Sequence, residues 1–389
     1  MSTNRIAVER LFESGKQKQA PMDTDGAVLV SAGGTAAESS TQAWPFAGIL
    51  QSFGGTFLLT LVLAVFCYLA MVTVVNPRRE FLGRAFPPVM PNTRARKLEL
   101  LQKYKEAGPV DLVVLGSSRS MLLSPDLLES LAGQRAFNAG VFSAAPNDYL
   151  SIYRVMKQQG IVPKTLVIGL DAESLDPGNI PTLDFNSNLA LTSALEGTAP
   201  NLPAKLRHWA RLYKDSLSPY YAQNIAESIW IWFKPRPPLF ELQPNGQEED
   251  RTVDLQIQSG VYPRAEKFKH CEDSEQAKFA NFHDASPELE GYLKQLFSEA
   301  ARDKVRLVLW ITPVNPEALG IIQKDPQAGP NFRTAEDHLI QLGAMSHLPV
   351  RDLTDSQSFG GRPDSWYDCV HYSQEDADRI AKKLFTYGL

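Results

Sequence analysis

The stretch Asp111-Leu112-Val113-Val114-Leu115-Gly116-Ser117-Ser118-Arg119-Ser120 is an apolar run that stops abruptly on a glycine and two serines. A short run of branched aliphatic residues reads as a buried strand, and Gly116 marks the turn out of it. Two readings follow. Either the chain simply leaves the sheet here, or the carboxyl edge of the sheet presents a hydroxyl nucleophile. The rest of the chain decides between them.

From Val110 onward, short β-branched runs alternate with amphipathic stretches, the pattern of a parallel sheet covered by helices. "SPDLLESL" opens a helix with Ser124 at the N-cap and Pro125 first inside it. "RAFNAG" is a second strand and its loop, and "NDYLSIYRVMKQQG" a helix N-capped by Asn147 and closed at Gly160. "TLVIGL" (165–170), "VRLVLWITP" and "VRDLTD" supply three more strands, and "SQEDADRIAKKLF" is the closing helix. An insert over about 171–285 interrupts the alternation. It holds Trp209, Tyr213, Tyr220, Tyr221, Trp230 and Trp232. Such rings suit the apolar faces of sugars, and equally a subdomain core or a membrane-proximal surface.

The N-terminal part differs in kind. Residues 1–48 are small and polar, too poor in branched and aromatic side chains to offset the entropy of ordering, and read as a disordered tail. No charge appears between Glu38 and Arg78, and Phe53 to Val75 is long enough to cross about 30 Å of hydrocarbon as a helix. A signal peptide would be shorter and nearer the N-terminus. We read 49–76 as a single transmembrane anchor, 77–109 as a juxtamembrane linker and 110–389 as one domain. Arg78, Arg79 and Arg84 follow the span closely, which by charge would leave the domain in the cytoplasm. Long domains, however, translocate regardless of flanking charge, so charge leaves the orientation open.

With 389 residues, a net charge of −5 and pI near 5.8, the chain has no basic footprint for nucleic acid. Of three cysteines, Cys67 lies in the apolar segment. Cys271 and Cys369 either bridge in an oxidising compartment or remain thiols. No metal-ligand spacing, phosphate loop or dinucleotide glycine motif occurs, so no metal or cofactor is expected.

Near the C-terminus stands "WYDCVHYSQEDADRIAKKL". Asp368 and His371 are three residues apart on a loop entering a helix, where the carboxylate can set the imidazole tautomer. Together with Ser118 they compose a nucleophile, a base and an orienting acid.

At these residues the chain resembles a family. "VVLGSSRS", "FNAGVFSAAP" and "DCVHYS…ADRIAKKL" are similar to the first, second and last blocks of the SGNH hydrolase superfamily, over roughly Val110 to Leu384 apart from the insert. The resemblance implies a three-layer, flavodoxin-like parallel sheet. It implies Ser118 as nucleophile, His371 as base and Asp368 as its orienter, with the Ser118 and Gly140 N–H groups as oxyanion hole. Ser117 takes the place of the familiar aspartate, as in membrane-anchored members that handle O-acyl groups on cell-surface polysaccharides. Asn138 is expected to steady its loop. One block departs from the pattern: Asp171 follows the third strand where the family has an asparagine. A carboxylate cannot donate to an oxyanion. The third donor is then absent, replaced by Arg119, or drawn from the insert. Asp171 itself either braces the nucleophile loop through a bidentate pair with Arg119 or caps the start of the insert.

The expected function is a serine esterase or O-acyltransferase, most simply of acetyl groups. It would sit on the inner membrane with its domain in the periplasm and act on a carbohydrate polymer. A multi-spanning membrane acyltransferase would be the acyl donor for transfer. The other class of function is a silent polysaccharide-binding or scaffold subunit of an export complex, which the missing donor and the aromatic insert favour.

Overall fold

The computed structural model describes residues 46–81, 83–89, 92–179, 182–235, 241–249 and 251–386. The tail expected over 1–48 therefore lies outside the described residues as far as residue 45. The chain divides into two compact units, 1–61 and 62–389. The first contains the opening half of the helix Phe46–Val75, whose described residues Phe53 to Leu61 expose apolar side chains. Everything below concerns the second unit.

Strands β1 (Leu112–Leu115), β2 (Ala136–Asn138) and β3 (Thr165–Leu170) are followed, within the insert, by a two-residue pair, β4 (Glu241–Leu242) and β5 (Glu248–Glu249). Strands β6 (Arg306–Ile311) and β7 (Val350–Asp352) come after it. β1, β2, β3, β6 and β7 form one sheet in the order β2-β1-β3-β6-β7, every pair parallel. Counted along this sheet alone the order is 2-1-3-4-5, that of the flavodoxin-like doubly wound fold. Helices pack on its faces, and every residue of β1 and β3 is buried, as expected of central parallel strands covered on both sides. In such sheets ligands sit beyond the carboxyl ends of the strands where the order reverses. Here that is the junction of β1 and β3, the ends that carry Ser118 and Asp171.

One local detail differs from the sequence reading. The helix Pro146–Gln158 takes Ala145 as its N-cap, and Asp148 Oδ2 accepts the Ala145 N–H at 3.2 Å. Asn147 is inside the first turn and fully buried, and Asp148, which takes the capping contact, is also paired with Arg94 at 2.6 and 3.0 Å in the core. The insert is a set of helices, among them Leu202–Ser216, Pro219–Phe233 and Arg264–Ala280. Leu212, Tyr221 and Ile225 of the first two form a small core with Val72, Val75 and Phe81, separate from the main one.

Candidate active site

The nucleophile loop begins with a backbone demand. Gly116 has φ +154°, and a Cβ there would lie 2.2 Å from Ser120 Oγ. Only glycine lets β1 turn this sharply while Ser120 packs beneath it. The chain then closes a single 3₁₀ turn, Ser118–Ser120, with Ser117 Oγ accepting the Arg119 N–H at 3.3 Å. Ser118 is left half-buried at the edge of the sheet.

Opposite it the loop before the helix Gln374–Thr386 presents His371. His371 Nε2 lies 2.8 Å from Ser118 Oγ, and Nδ1 lies 2.7 Å from Asp368 Oδ2. Asp368 Oδ1 accepts the N–H groups of Val370 and His371 at 2.8 and 2.7 Å. Those two bonds fold the loop back on itself, which is how an Asp and a His three residues apart face each other. Burial works to raise the Asp368 pKa, but His371 and the three hydrogen bonds outweigh it and hold the carboxyl at about 2. Burial likewise opposes the imidazolium of His371, yet the Asp368 charge and hydrogen bond raise its pKa above the ordinary 6.5. With Nδ1–H donated to a carboxylate, the neutral ring carries its lone pair on Nε2, toward Ser118.

That pKa direction fixes the sign of a pH dependence. Only the neutral imidazole can take the serine proton, so activity should fall as pH drops through the His371 pKa. Because that pKa is raised, the acid limb of kcat/KM should have its midpoint above 6.5, with Asp368 ionised throughout. A midpoint at or below 6.5 in the rate of ester hydrolysis contradicts this electrostatic account.

Gly140 is placed differently from the expectation. Its N–H donates to Asn138 Oδ1 at 3.0 Å, so in this conformation it is not offered to an oxyanion. Asn138 Nδ2 donates to the carbonyls of Ser120, Met121 and Leu123 at 2.8, 3.2 and 2.9 Å, tying the β2 loop to the nucleophile loop. Farther along the same loop, Ser143 holds φ +48°. This is a strained value for a residue with a side chain, of the kind that gathers near functional sites.

Asp171 makes neither expected contact. Its nearest oxygen is 3.8 Å from Arg119 Nε, beyond hydrogen-bond reach, so the bidentate brace is not formed. Nor does its side chain cap the short 3₁₀ turn Ala172–Leu175. Instead Asp171 Oδ1 accepts the hydroxyls of Ser117 at 3.0 Å and Thr312 at 2.7 Å. Arg119 bonds Thr312 Oγ1 at 3.2 Å and gives its other arm to Glu173, with Glu275 4.0 Å away. The guanidinium thus sits among three carboxylates and takes the one it can reach squarely. Burial raises the Asp171 pKa, with Glu173 adding to it and Arg119 opposing. For Glu173 burial is overcome by Arg119 and Lys278, and the pKa is lowered. Asp171→Asn keeps an oxygen for the two hydroxyls but removes the charge that strengthens both bonds, while Arg119 keeps Glu173. We expect kcat to drop by about tenfold, the scale of one lost charged hydrogen bond, and not to the level of a triad variant. An unchanged kcat would show that the Ser117 contact does not position the nucleophile.

Several supporting residues escaped the sequence reading. Tyr372, directly after His371, donates to the Arg119 carbonyl and so joins the His371 loop to the Ser118 loop. Thr312 stands buried at the carboxyl end of β6, a position at which a hydroxyl directly after the strand was a legible signal. Glu173 and Glu275 had none. The helix Arg264–Ala280 of the insert holds the His371 loop from behind. Cys271 is disulfide-bonded to Cys369, Tyr262 Oη donates to the Tyr367 carbonyl at 2.9 Å, and Arg264 donates to the carbonyls of Pro363 and Asp364 at 2.6 and 2.9 Å. The β4–β5 turn packs on the other side. Asn245 O accepts the Asn138 N–H at 3.0 Å, and the Glu248 N–H donates to Met121 O at 3.1 Å. Buried Lys97 donates to the carbonyls of Asn138, at 2.9 Å, and Gly246. Burial pushes its pKa down to about 7, with Glu248 opposing. A cavity of about 670 Å³ lies beside the disulfide, lined by Phe268, Asn315 and Glu317 among others, and includes none of the triad. Among the described residues no cluster of His, Cys, Asp and Glu is arranged to hold a metal.

No family model and no curated protein matches the chain. Among solved structures, a candidate acylhydrolase from Bacteroides fragilis aligns at 12% identity and TM-score 0.33, over 72% of this chain and 89% of its own. An acetyl xylan esterase, AlAXEase, aligns at 9% identity and TM-score 0.34, over 72% of this chain and all of its own. The strand order and parallel pairing described above, rather than these likenesses, carry the fold: a flavodoxin-like α/β domain with Ser118, His371 and Asp368 in line at its switch point.

Proposed function

We propose that the chain is a membrane-anchored serine esterase or O-acyltransferase acting on acyl groups, acetyl above all, of a cell-envelope or exported carbohydrate polymer. The observation that carries this reading is the continuous relay from Ser118 Oγ through His371 to Asp368, at 2.8 and 2.7 Å. Serine becomes a competent nucleophile only when a positioned base removes its proton. Here Ser118 Oγ attacks the acyl carbonyl as Nε2 takes the proton. The proton passes to the departing alcohol, leaving an acyl-serine. Water or a sugar hydroxyl then gives its proton to Nε2 and attacks in turn, freeing Ser118. Hydrolysis and transfer differ only in that second nucleophile, and for transfer a multi-spanning membrane protein would load Ser118.

The oxyanion needs fixed donors. The Ser118 N–H is the first, at the opening of its turn. Gly140 becomes the second if its N–H exchanges Asn138 Oδ1 for the substrate oxygen, a change confined to one loop. Because Gly140 is engaged and Asp171 replaces a donor, the other reading, a silent polysaccharide-binding or scaffold subunit, has specific support of its own.

Two further observations support an extracytoplasmic location. A structural disulfide belongs to an oxidising compartment, which favours an extracytoplasmic domain. Arg78, one of the three cations after the span, is buried against Glu80 and Asp184, so its charge is compensated inside the domain. A serine-reactive fluorophosphonate tests the reading directly. The esterase is labelled on Ser118 and loses labelling with His371→Ala, whereas a silent subunit with intact fold takes no label.

A further inference from the structure

From the helix pair Leu202–Ser216 and Pro219–Phe233 we infer a second membrane contact: a collar lying in the boundary between headgroups and acyl chains, around the domain end of the anchor. The inference rests on reading Phe53–Val75 as a membrane span.

The first observation is depth. Tyr68 Oη donates to the carbonyl of Ser216, in the turn between the two helices, at 2.5 Å, and Thr73 Oγ1 lies 3.4 Å from Tyr213 Oη. Tyr68 is seven residues before the end of the apolar helix, about 10 Å at the α-helical rise. Any position of the bilayer that immerses Phe53–Val75 to its end also immerses that turn. Leu217, at its tip, is 58% exposed.

The second observation is direction. The loop after the anchor folds back, with Gly83 N–H on Thr73 O at 3.2 Å and Val89 N–H on Pro77 O at 2.9 Å. Phe86 lies between them, three residues from each and so within roughly 10 Å of that level. Trp232, at the far end of the second helix, packs on Phe86 at 5.6 Å between ring centroids, and Ser228 Oγ donates to Pro87 O at 2.6 Å. Both ends of Pro219–Phe233 are therefore tied near the level of the anchor's last turns. The helix is thus held at both ends by the anchor and the loop that folds back on it.

The third observation is chemistry. Leu202, Leu206, Trp209, Trp230, Trp232 and Phe233 are all exposed, and Lys205, Arg207 and Lys214 stand exposed among them. Lys234 lies over the Trp230 ring at 4.4 Å. Apolar and Trp-rich surface bordered by cations is the composition of helices that lie in the interface and draw anionic phospholipid. Exposed apolar area is unfavourable in water and is not so in the bilayer next to it. The partner is thus the lipid surface of the membrane that the anchor crosses.

The test uses the full chain with Cys67→Ser, the disulfide left in place, in vesicles of phosphatidylethanolamine and phosphatidylglycerol. Single cysteines at Leu217, Phe233, Leu63 and Glu106 carry a nitroxide, and collisions with oxygen, which partitions into lipid, are compared with those of a water-soluble nickel chelate. We expect the oxygen-to-nickel ratio at 217 and 233 to lie severalfold above that at 106 and below that at 63. If 217 and 233 match 106 while 63 reads as lipid, the collar is wrong and the anchor stands. If 63 also reads as water, the anchor reading fails and the collar with it. Shielding of 217 and 233 from both reagents, with spin–spin broadening, would assign the surface to a second copy and overturn the lipid assignment.

Discussion

Ser118→Ala is expected to lower acetate release from an activated aryl acetate by four to six orders of magnitude, about the cost of losing a triad nucleophile elsewhere. The loss should be in kcat. The hydroxyl contributes the bond that forms, and the surrounding loop is held by contacts that do not involve Oγ: the glycine turn at 116, the Ser117 cap and the Asn138 bonds to three carbonyls. Near-ultraviolet circular dichroism should therefore match the natural chain. His371→Ala should fall to a similar floor, and the double variant little further, because the two act as one unit. The measurement is a burst of product and a steady rate for each variant. Retention of natural turnover by Ser118→Ala would remove the serine esterase from consideration.

Asp368→Asn should cost about four orders of magnitude while leaving the fold intact. The local hydrogen bonds say why. Asp368 Oδ1 accepts two backbone N–H groups, from Val370 and His371. An asparagine must keep its carbonyl oxygen on those donors, which turns its NH₂ toward His371 Nδ1. The imidazole then has to accept at Nδ1 and carry its hydrogen on Nε2, facing Ser118 as a donor. It can no longer take the serine proton. Asp368→Ala lacks that enforced tautomer and should be no worse than Asp368→Asn, although it removes more atoms. If Asp368→Asn proves far more active than Asp368→Ala, the carboxylate acts through packing alone.

The sequence made the sheet legible because each strand is a short apolar run between turn residues, and parallel central strands need no alternation to be recognised. Ser118, Asp368 and His371 were legible because each stands in a local pattern: strand–Gly–Ser, and Asp three residues before His at a helix start. What failed was pairing across the fold. Asp171 and Arg119 looked like partners because both border Ser118. Their distance depends on how β3 and the nucleophile loop splay, and Glu173, two residues on, reaches the guanidinium better. The engagement of Gly140 with Asn138 was likewise invisible, since a side chain bonding the backbone two residues ahead leaves no mark in spacing. The disulfide was one of two open alternatives, and only the packing of Arg264–Ala280 against the catalytic loop decides it.

That helix bears on how this protein can be re-engineered. In sequence the segment from 171 to 285 looks like a cassette dropped between two strands, something to excise for a minimal enzyme or exchange with a relative for new specificity. The structure argues otherwise. Excision would remove the sulfur bonded to Cys369, the carbonyl that receives the Asn138 N–H, and a carboxylate beside Arg119. Both loops of the catalytic apparatus would lose their outer wall at once. Substrate range is therefore better altered by changing side chains on the insert's outward surface than by trimming it, and chimaeras should place their junctions outside 171–285 rather than at its ends.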